Sequence, residues 1–264
     1  MSAPEPEEIF ARTREEGQRR LSRPVLELVS TAFVAGVDVV FGIVALTTVT
    51  ALTEKWVGKE AAHFFGSVAF GIGFVFIVVG RSELFTENFL VPVAGLERTR
   101  ASWYKLLELW VVSPIMNLIG GGILLTLLTV HHVLPHGTGK AMVDVAAKLS
   151  DRGPLASLMS AIGAGALITL MTWLVEGSNT MGIRVISAWI AGALLTVTAF
   201  NHVIVATLEL FGGIRYGAPI SWGNLFSNLG IATLGNLIGG LLFVTLTRFG
   251  QAVGSNSRGS SETS

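Results

Sequence analysis

The chain has 264 residues, 51% of them hydrophobic and only 14% charged, with 18 Lys and Arg balanced by 18 Asp and Glu. Soluble domains carry about 25% charged residues, and a net charge of zero gives no bulk attraction to nucleic acid. There is no cysteine, which excludes disulfides, thiolate metal sites and thiol catalysis.

In chain order, residues 1–24 form a polar N-terminal tail that lacks the apolar core of a signal peptide. It is expected to be partly helical, near Glu7 to Arg20. Six stretches without Asp, Glu, Lys or Arg follow: Val39 to Thr53, Ala61 to Gly80, Leu109 to Gly139, Gly153 to Val175, Val185 to Leu208 and Tyr216 to Thr247. About 18 apolar residues cross a bilayer core as a helix. The pattern therefore predicts an all-α membrane protein with six transmembrane segments, at about 26–53, 64–96, 103–134, 154–176, 183–211 and 221–248. The Gly/Ser-rich residues 250–264 are expected to be a disordered C-terminal tail. The tail arginines Arg12, Arg14, Arg19, Arg20 and Arg23 place both termini in the cytoplasm by the positive-inside rule.

Segments two and five are interrupted. The second runs apolar to Val79, meets Arg81-Ser82-Glu83-Leu84-Phe85-Thr86-Glu87-Asn88, and resumes at Phe89. The fifth runs to Phe200, meets Asn201-His202, and continues to Leu208. Polar backbone survives at membrane depth only against protein or a wet cavity. Two broken segments in corresponding places point to a binding site between them. Asn117-Leu118-Ile119-Gly120-Gly121 in segment three recurs as Asn236-Leu237-Ile238-Gly239-Gly240 in segment six. Three spans per copy is odd, so the expected fold is two inverted three-span repeats, about 25–134 and 154–249, within a transport domain of residues 25–249. Asn117 and Asn236 are expected to bond between closely packed helices.

His202 is the sharpest candidate, being the one titratable side chain between Val185 and Leu208, with an ordinary pKa that lets its surroundings decide its charge. Glu83, Glu87 and Glu209 are expected to cap half-helices or stand at the water interface, with pairing to Arg81 as the alternative. Asp38 is expected to bond between segments. His131, His132 and His136 fall in a loop that reads as solvated rather than metal-binding. No zinc-protease or nucleophile-elbow motif lies in a span, so no catalytic residues, metal or cofactor are expected.

Taken together, Glu83 to Asn88, Phe200-Asn201-His202 and Leu234 to Gly240 resemble the formate/nitrite transporter family, over nearly all of Pro24 to Phe249. The charged tail and the Leu-Phe-Thr-Glu-Asn string look most like its YfdC-type branch. The resemblance implies an aquaporin-like fold, a homopentamer with one pore per protomer, and a small monovalent anion such as formate or nitrite as substrate, carried across a cell (inner) membrane. It also implies that His202, Thr86, Asn201 and Thr172 line the substrate pore. Phe70, Phe74, Leu84, Phe85, Val175 and Leu195 would constrict it. Two positions depart from the family: Thr172 stands where many members have Asn, and Ala156 stands near a Lys of some members. A water or neutral-solute channel and a non-conducting sensor are the competing readings.

Overall fold

The computed structural model describes residues 4–259, with side chains to residue 254. Every regular element among them is helical. Helix α1 (Pro6–Leu21) opens on a proline in its first turn and carries Glu7 and Glu8 there, with Arg19 and Arg20 in its last turn. Both placements suit the helix dipole. Helix α2 (Val25–Val57) ends where Gly58 takes φ +79, and α3 (Lys59–Gly80) returns beside it.

The expected second half of segment two is not a regular helix. It is a 3-10 turn, Phe85–Phe89, followed by the single turn α4 (Val91–Ala94), where Pro92 limits backbone pairing. Helix α5 (Arg100–Leu128) is capped by the Thr99 hydroxyl and contains Pro114. Then comes α6 (Thr138–Ser150), between the third and fourth expected spans, where no helix was expected. Its apolar face, with Ala141, Met142, Ala146 and Leu149, is buried. Ion pairs hold it from outside, Lys59–Asp144 at 3.0 Å and Lys140–Glu54 at 3.4 Å.

Helix α7 (Pro154–Glu176) is continuous. Segment five is two helices, α8 (Met181–Val197) and α9 (Val203–Arg215). The last is α10 (Trp222–Ile238), which passes through a π-helical stretch at Gly239–Thr245 into α11 (Leu246–Gly259). Helix therefore continues to 259, where a disordered tail was expected from 250; residues 260–264 lie outside the described residues. Among the described residues, five helices are long and apolar enough to span a membrane: α2, α3, α5, α7 and the run Trp222–Gly254. Helix α8 is apolar but has only 17 residues.

Lipid offers apolar groups no reason to leave it, so helices in it associate by close packing and hydrogen bonds. The glycines supply the closeness. A Cβ on Gly36 of α2 would strike the Asn117 carbonyl of α5, and one on Gly120 would strike the Phe33 carbonyl. The same pair of approaches recurs between α7 and α10, where Gly165 meets the Asn236 carbonyl and Gly239 meets that of Ile162.

The two breaks also share one local geometry. Arg81 ends α3 in the left-handed region at φ 57, and Ala199 follows α8 at φ 49. The next residue then closes a turn backwards: Ser82 N–H donates to Ile77 O at 3.0 Å, and Phe200 N–H to Leu195 O at 2.9 Å. Left-handed non-glycine residues cost about 1–3 kcal/mol each and persist only where surroundings hold them. Leu84 (φ −85, ψ 132) and His202 (φ −83, ψ 126) then enter the following helical turns in matching extended conformations.

Candidate functional site

The breaks meet in the middle of the protein. Thr86, in the 3-10 turn after the first, and His202, the N-cap of α9 after the second, are both fully buried. Thr86 Oγ1 and His202 Nε2 are 2.7 Å apart. Val205 N–H donates to His202 Nδ1 at 3.3 Å. Nδ1 is thus the acceptor, and in the neutral ring assigned from this network Nε2 carries the hydrogen and donates to Thr86. The hydroxyl hydrogen of Thr86 is left for another acceptor. The Phe74 ring stands edge-on to the imidazole at 6.2 Å between centroids, and Phe70 lies 5.8 Å from Phe74.

Two cavities reach opposite ends of α3, the helix that carries Phe70 and Phe74. One, of about 460 Å³, is bounded by the α1 arginines, by Ile77 and Val78 at the end of α3, and by Ser82, Glu87, Thr172, Val175 and Arg184. The other is a pocket of about 20 Å³ between Leu46, His63, Leu195, Thr196, Phe200 and Glu209. His63 and Ile77 are fourteen residues apart on α3, about 21 Å of helix, with Phe70 and Phe74 between them. The cavities thus meet α3 about four turns apart, and neither is lined by Thr86 or His202.

Of the residues singled out from the sequence, Thr172 and Val175 line the larger cavity, Leu195 lines the smaller one, and Phe70 and Phe74 pack towards the Thr86–His202 contact. Thr172 turns its hydroxyl to Ile168 O of its own helix at 3.0 Å. Leu84 is buried in the core beside the contact, and Phe85 stacks edge-on with Phe89 at 5.0 Å. Asn201 is turned elsewhere: its amide donates to Asn228 Oδ1 at 2.8 Å and accepts from Asn228 Nδ2 at 3.2 Å. Asp38 accepts from the Ser82 hydroxyl at 2.5 Å.

The carboxylates of the first break are neither caps nor partners of Arg81. Arg20 reaches Glu83 at 3.3 Å and Glu87 at 3.5 Å, and Arg23 also pairs with Glu83. Arg81 is exposed and comes no nearer to a carboxylate than Glu16 at 3.9 Å. Sequence reasoning missed this docking of α1, because a charged tail reads as solvated. The available signal was that two acids, Glu83 and Glu87, fall within an expected span, where cations must neutralise them. Also missed were His63, Lys148 and Arg152 near the small pocket. Lys148 lines it, while Arg152 donates to Ser160 at 2.9 Å. His131 and His132 sit together in an exposed turn, their rings 3.8 Å apart.

The family profile described as Formate/nitrite transporter matches residues 7–250. The chain belongs to the formate/nitrite transporter family. Among its relatives, "Uncharacterized transporter YrhG" of Bacillus subtilis is 26% identical over 258 residues, covering 94% of both chains. "Formate channel BtFdhC" of Bacillus thuringiensis is 24% identical, covering 94% of this chain and 96% of that one. "Inner membrane protein YfdC" of Escherichia coli is 23% identical over 92% of this chain and 77% of its own. The fold matches a structure described as a pentameric formate channel with formate bound, with a TM-score of 0.73 at 22% identity over 85% of this chain and 96% of the other. It matches an FNT family ion channel with a TM-score of 0.77 at 18% identity, over 92% and 98%. As a member of this transporter family, the protein is a multi-pass membrane protein.

Proposed function

We propose that the protein is a channel for small monovalent anions of weak acids, formate or nitrite foremost, and that the anion crosses at the contact between Thr86 and His202. One observation carries this reading: a 2.7 Å hydrogen bond joins two buried helix breaks, and cavities reach the two ends of the neighbouring helix α3. A bare carboxylate entering so apolar a passage loses its hydration at a cost of several kcal/mol or more. Thr86 offers a hydroxyl hydrogen in exchange. His202 polarises that hydroxyl from Nε2, and through the same atom it can pass a proton, so transport is proton-linked. Phe70, Phe74, Leu84 and Leu195 narrow the path to a partly or wholly dehydrated solute. The names of two relatives, a formate channel and a formate-bound channel, support formate as the first substrate to try.

On this reading α8 and α9 form one broken span, giving six in all, arranged as two inverted repeats of an aquaporin-like fold in a transport domain of residues 25–249. The matching glycine approaches and matching breaks support that arrangement. The pentameric state of a structural relative supports a homopentamer. The arginine-rich α1 favours the cytoplasmic side of an inner membrane for both termini and the larger cavity.

The test is uptake of radiolabelled formate and nitrite into proteoliposomes, set against vesicle swelling with glycerol. Anion uptake without swelling is expected. Swelling without anion uptake supports a neutral-solute channel instead, and neither response supports a sensor.

A further inference from the structure

We propose that Asn117 and Asn236 are positioning residues, one for each break, whose carboxamides set where Leu84, Thr86 and His202 stand. The proposal rests on the reading of the Thr86–His202 contact as the place of passage. Both asparagines are fully buried. Asn117, on α5, accepts from Phe85 N–H at 3.0 Å through Oδ1. Its Nδ2 donates to Glu83 O at 2.9 Å and to Ala32 O of α2 at 2.7 Å. Asn236, on α10, accepts from Val203 N–H at 2.9 Å. Its Nδ2 donates to Asn201 O at 3.0 Å and to Ala161 O of α7 at 2.8 Å.

The two sets correspond bond for bond. In each, one side chain holds the carbonyl before a central residue and the amide after it. The central residue is Leu84 in the first break and His202 in the second. Breaking a helix strips backbone groups of their partners. A buried unpaired group costs about 1–3 kcal/mol, and at membrane depth no water replaces the bond. A carboxamide is suited to this task, since it presents one acceptor and two donors in a single plane.

A role in helix packing alone would need only the bonds to Ala32 and Ala161. The two bonds to each break go further, and they fix the backbone on both sides of the residue that faces the path. Close approach makes them possible. Gly36 and Gly165 admit the Asn117 and Asn236 backbones where a Cβ would collide. The clamps are alike and the clamped residues are not, so one scaffold presents an apolar side chain from one half and an imidazole from the other.

The test uses the full-length protein in proteoliposomes with Asn117→Asp and Asn236→Asp. Each variant keeps the acceptor and the shape and, as the neutral acid that burial favours, keeps at most one of the two donors. Assembly as in wild type is expected, with formate flux down about tenfold or more, because small misplacements at a reacting contact are costly. Asn236→Asp, which frees the His202 side, should also shift the pH profile of flux. Asn117→Asp, which frees the Leu84 and Thr86 side, should change the ratio of formate to lactate uptake. Assembled variants with wild-type flux, profile and ratio overturn the proposal. If the variants do not assemble, hydrogen exchange in the unaltered protein decides. Phe85 and Val203 amides exchanging as slowly as mid-helix amides of α5 and α10 support the clamps, and exchange at loop rates overturns them. That measurement needs no flux, so a protein that carries no anion would sink the transport reading while leaving the clamps testable.

Discussion

At the residue scale, His202 does two things with two nitrogens. Nδ1 caps α9 through Val205, and Nε2 meets Thr86. The roles separate by substitution. Asn is among the best N-caps, so His202→Asn should leave the assembled protein intact, within about 1 kcal/mol of wild type. Its formate flux should lose the pH dependence of the wild type. Flux measured between pH 5 and 8 checks this, and an unchanged profile would remove the imidazole from the mechanism. His202 and Thr86 were legible in the sequence because each sits in a polar interruption of an apolar run. Asn201 shows where that legibility ends. Two polar neighbours at a break cannot both face one path, and only the packing of α10, which offers Asn228, decides which turns away.

At the element scale, the least legible part was α1. The sequence shows a charged tail able to form a helix, but not that the helix is held by acids of the second segment. Arg20 and Arg23 have side chains 10% and 5% exposed, and Glu83 and Glu87 are 1% and 6% exposed. Removing one partner from a buried pair costs about 3–5 kcal/mol, since the other charge stays buried. Arg20→Ala should therefore lower thermal stability by about that amount and open residues 6–21 to protease. Arg20→Lys should recover only part of the loss, because Nη1 serves Glu83, Glu87 and Asn88 while Nε holds Glu16 at 3.2 Å, and one ammonium cannot stand in for both nitrogens.

The same helix carries its own acid response. Burial pushes the Glu16 carboxyl up, but hydrogen bonds from Arg19 and the charges of Arg20 and Arg19 outweigh it and bring the group down from 4.5 to about 2. A depressed carboxyl stabilises the folded helix above its unfolded pKa, and that contribution fades as pH falls through the folded value. Protection of residues 6–21 from hydrogen exchange should hold down to about pH 4.5 and decline towards pH 2. Release of α1 between pH 7 and 5 would contradict this assignment. Helix α6 was missed for a related reason: it begins where a charge-free run ends, and its lysines place it outside the apolar spans.

At the scale of the whole molecule, the string Asn-Leu-Ile-Gly-Gly, with the shorter Glu-Leu-Phe at 83–85 and 209–211, was the visible trace of duplication. The rest of the correspondence lies in geometry that different residues satisfy. Arg81 and Ala199 share a left-handed turn, Leu84 and His202 share a backbone conformation, and Phe33 and Ile162 each receive a glycine. Side chains there diverge because the backbone supplies the bonds. The apolar runs made the spanning helices plain, while their pairing depended on which glycines meet which carbonyls. All of this converges on one hydroxyl. The most direct measurement is formate flux through proteoliposomes carrying Thr86→Val beside Thr86→Ser. Val keeps the shape and removes the donor, and Ser keeps the donor. The account predicts that flux falls about tenfold or more with Val, as for one lost charge-assisted hydrogen bond, and stays near wild type with Ser. Wild-type flux through the Val protein would contradict it.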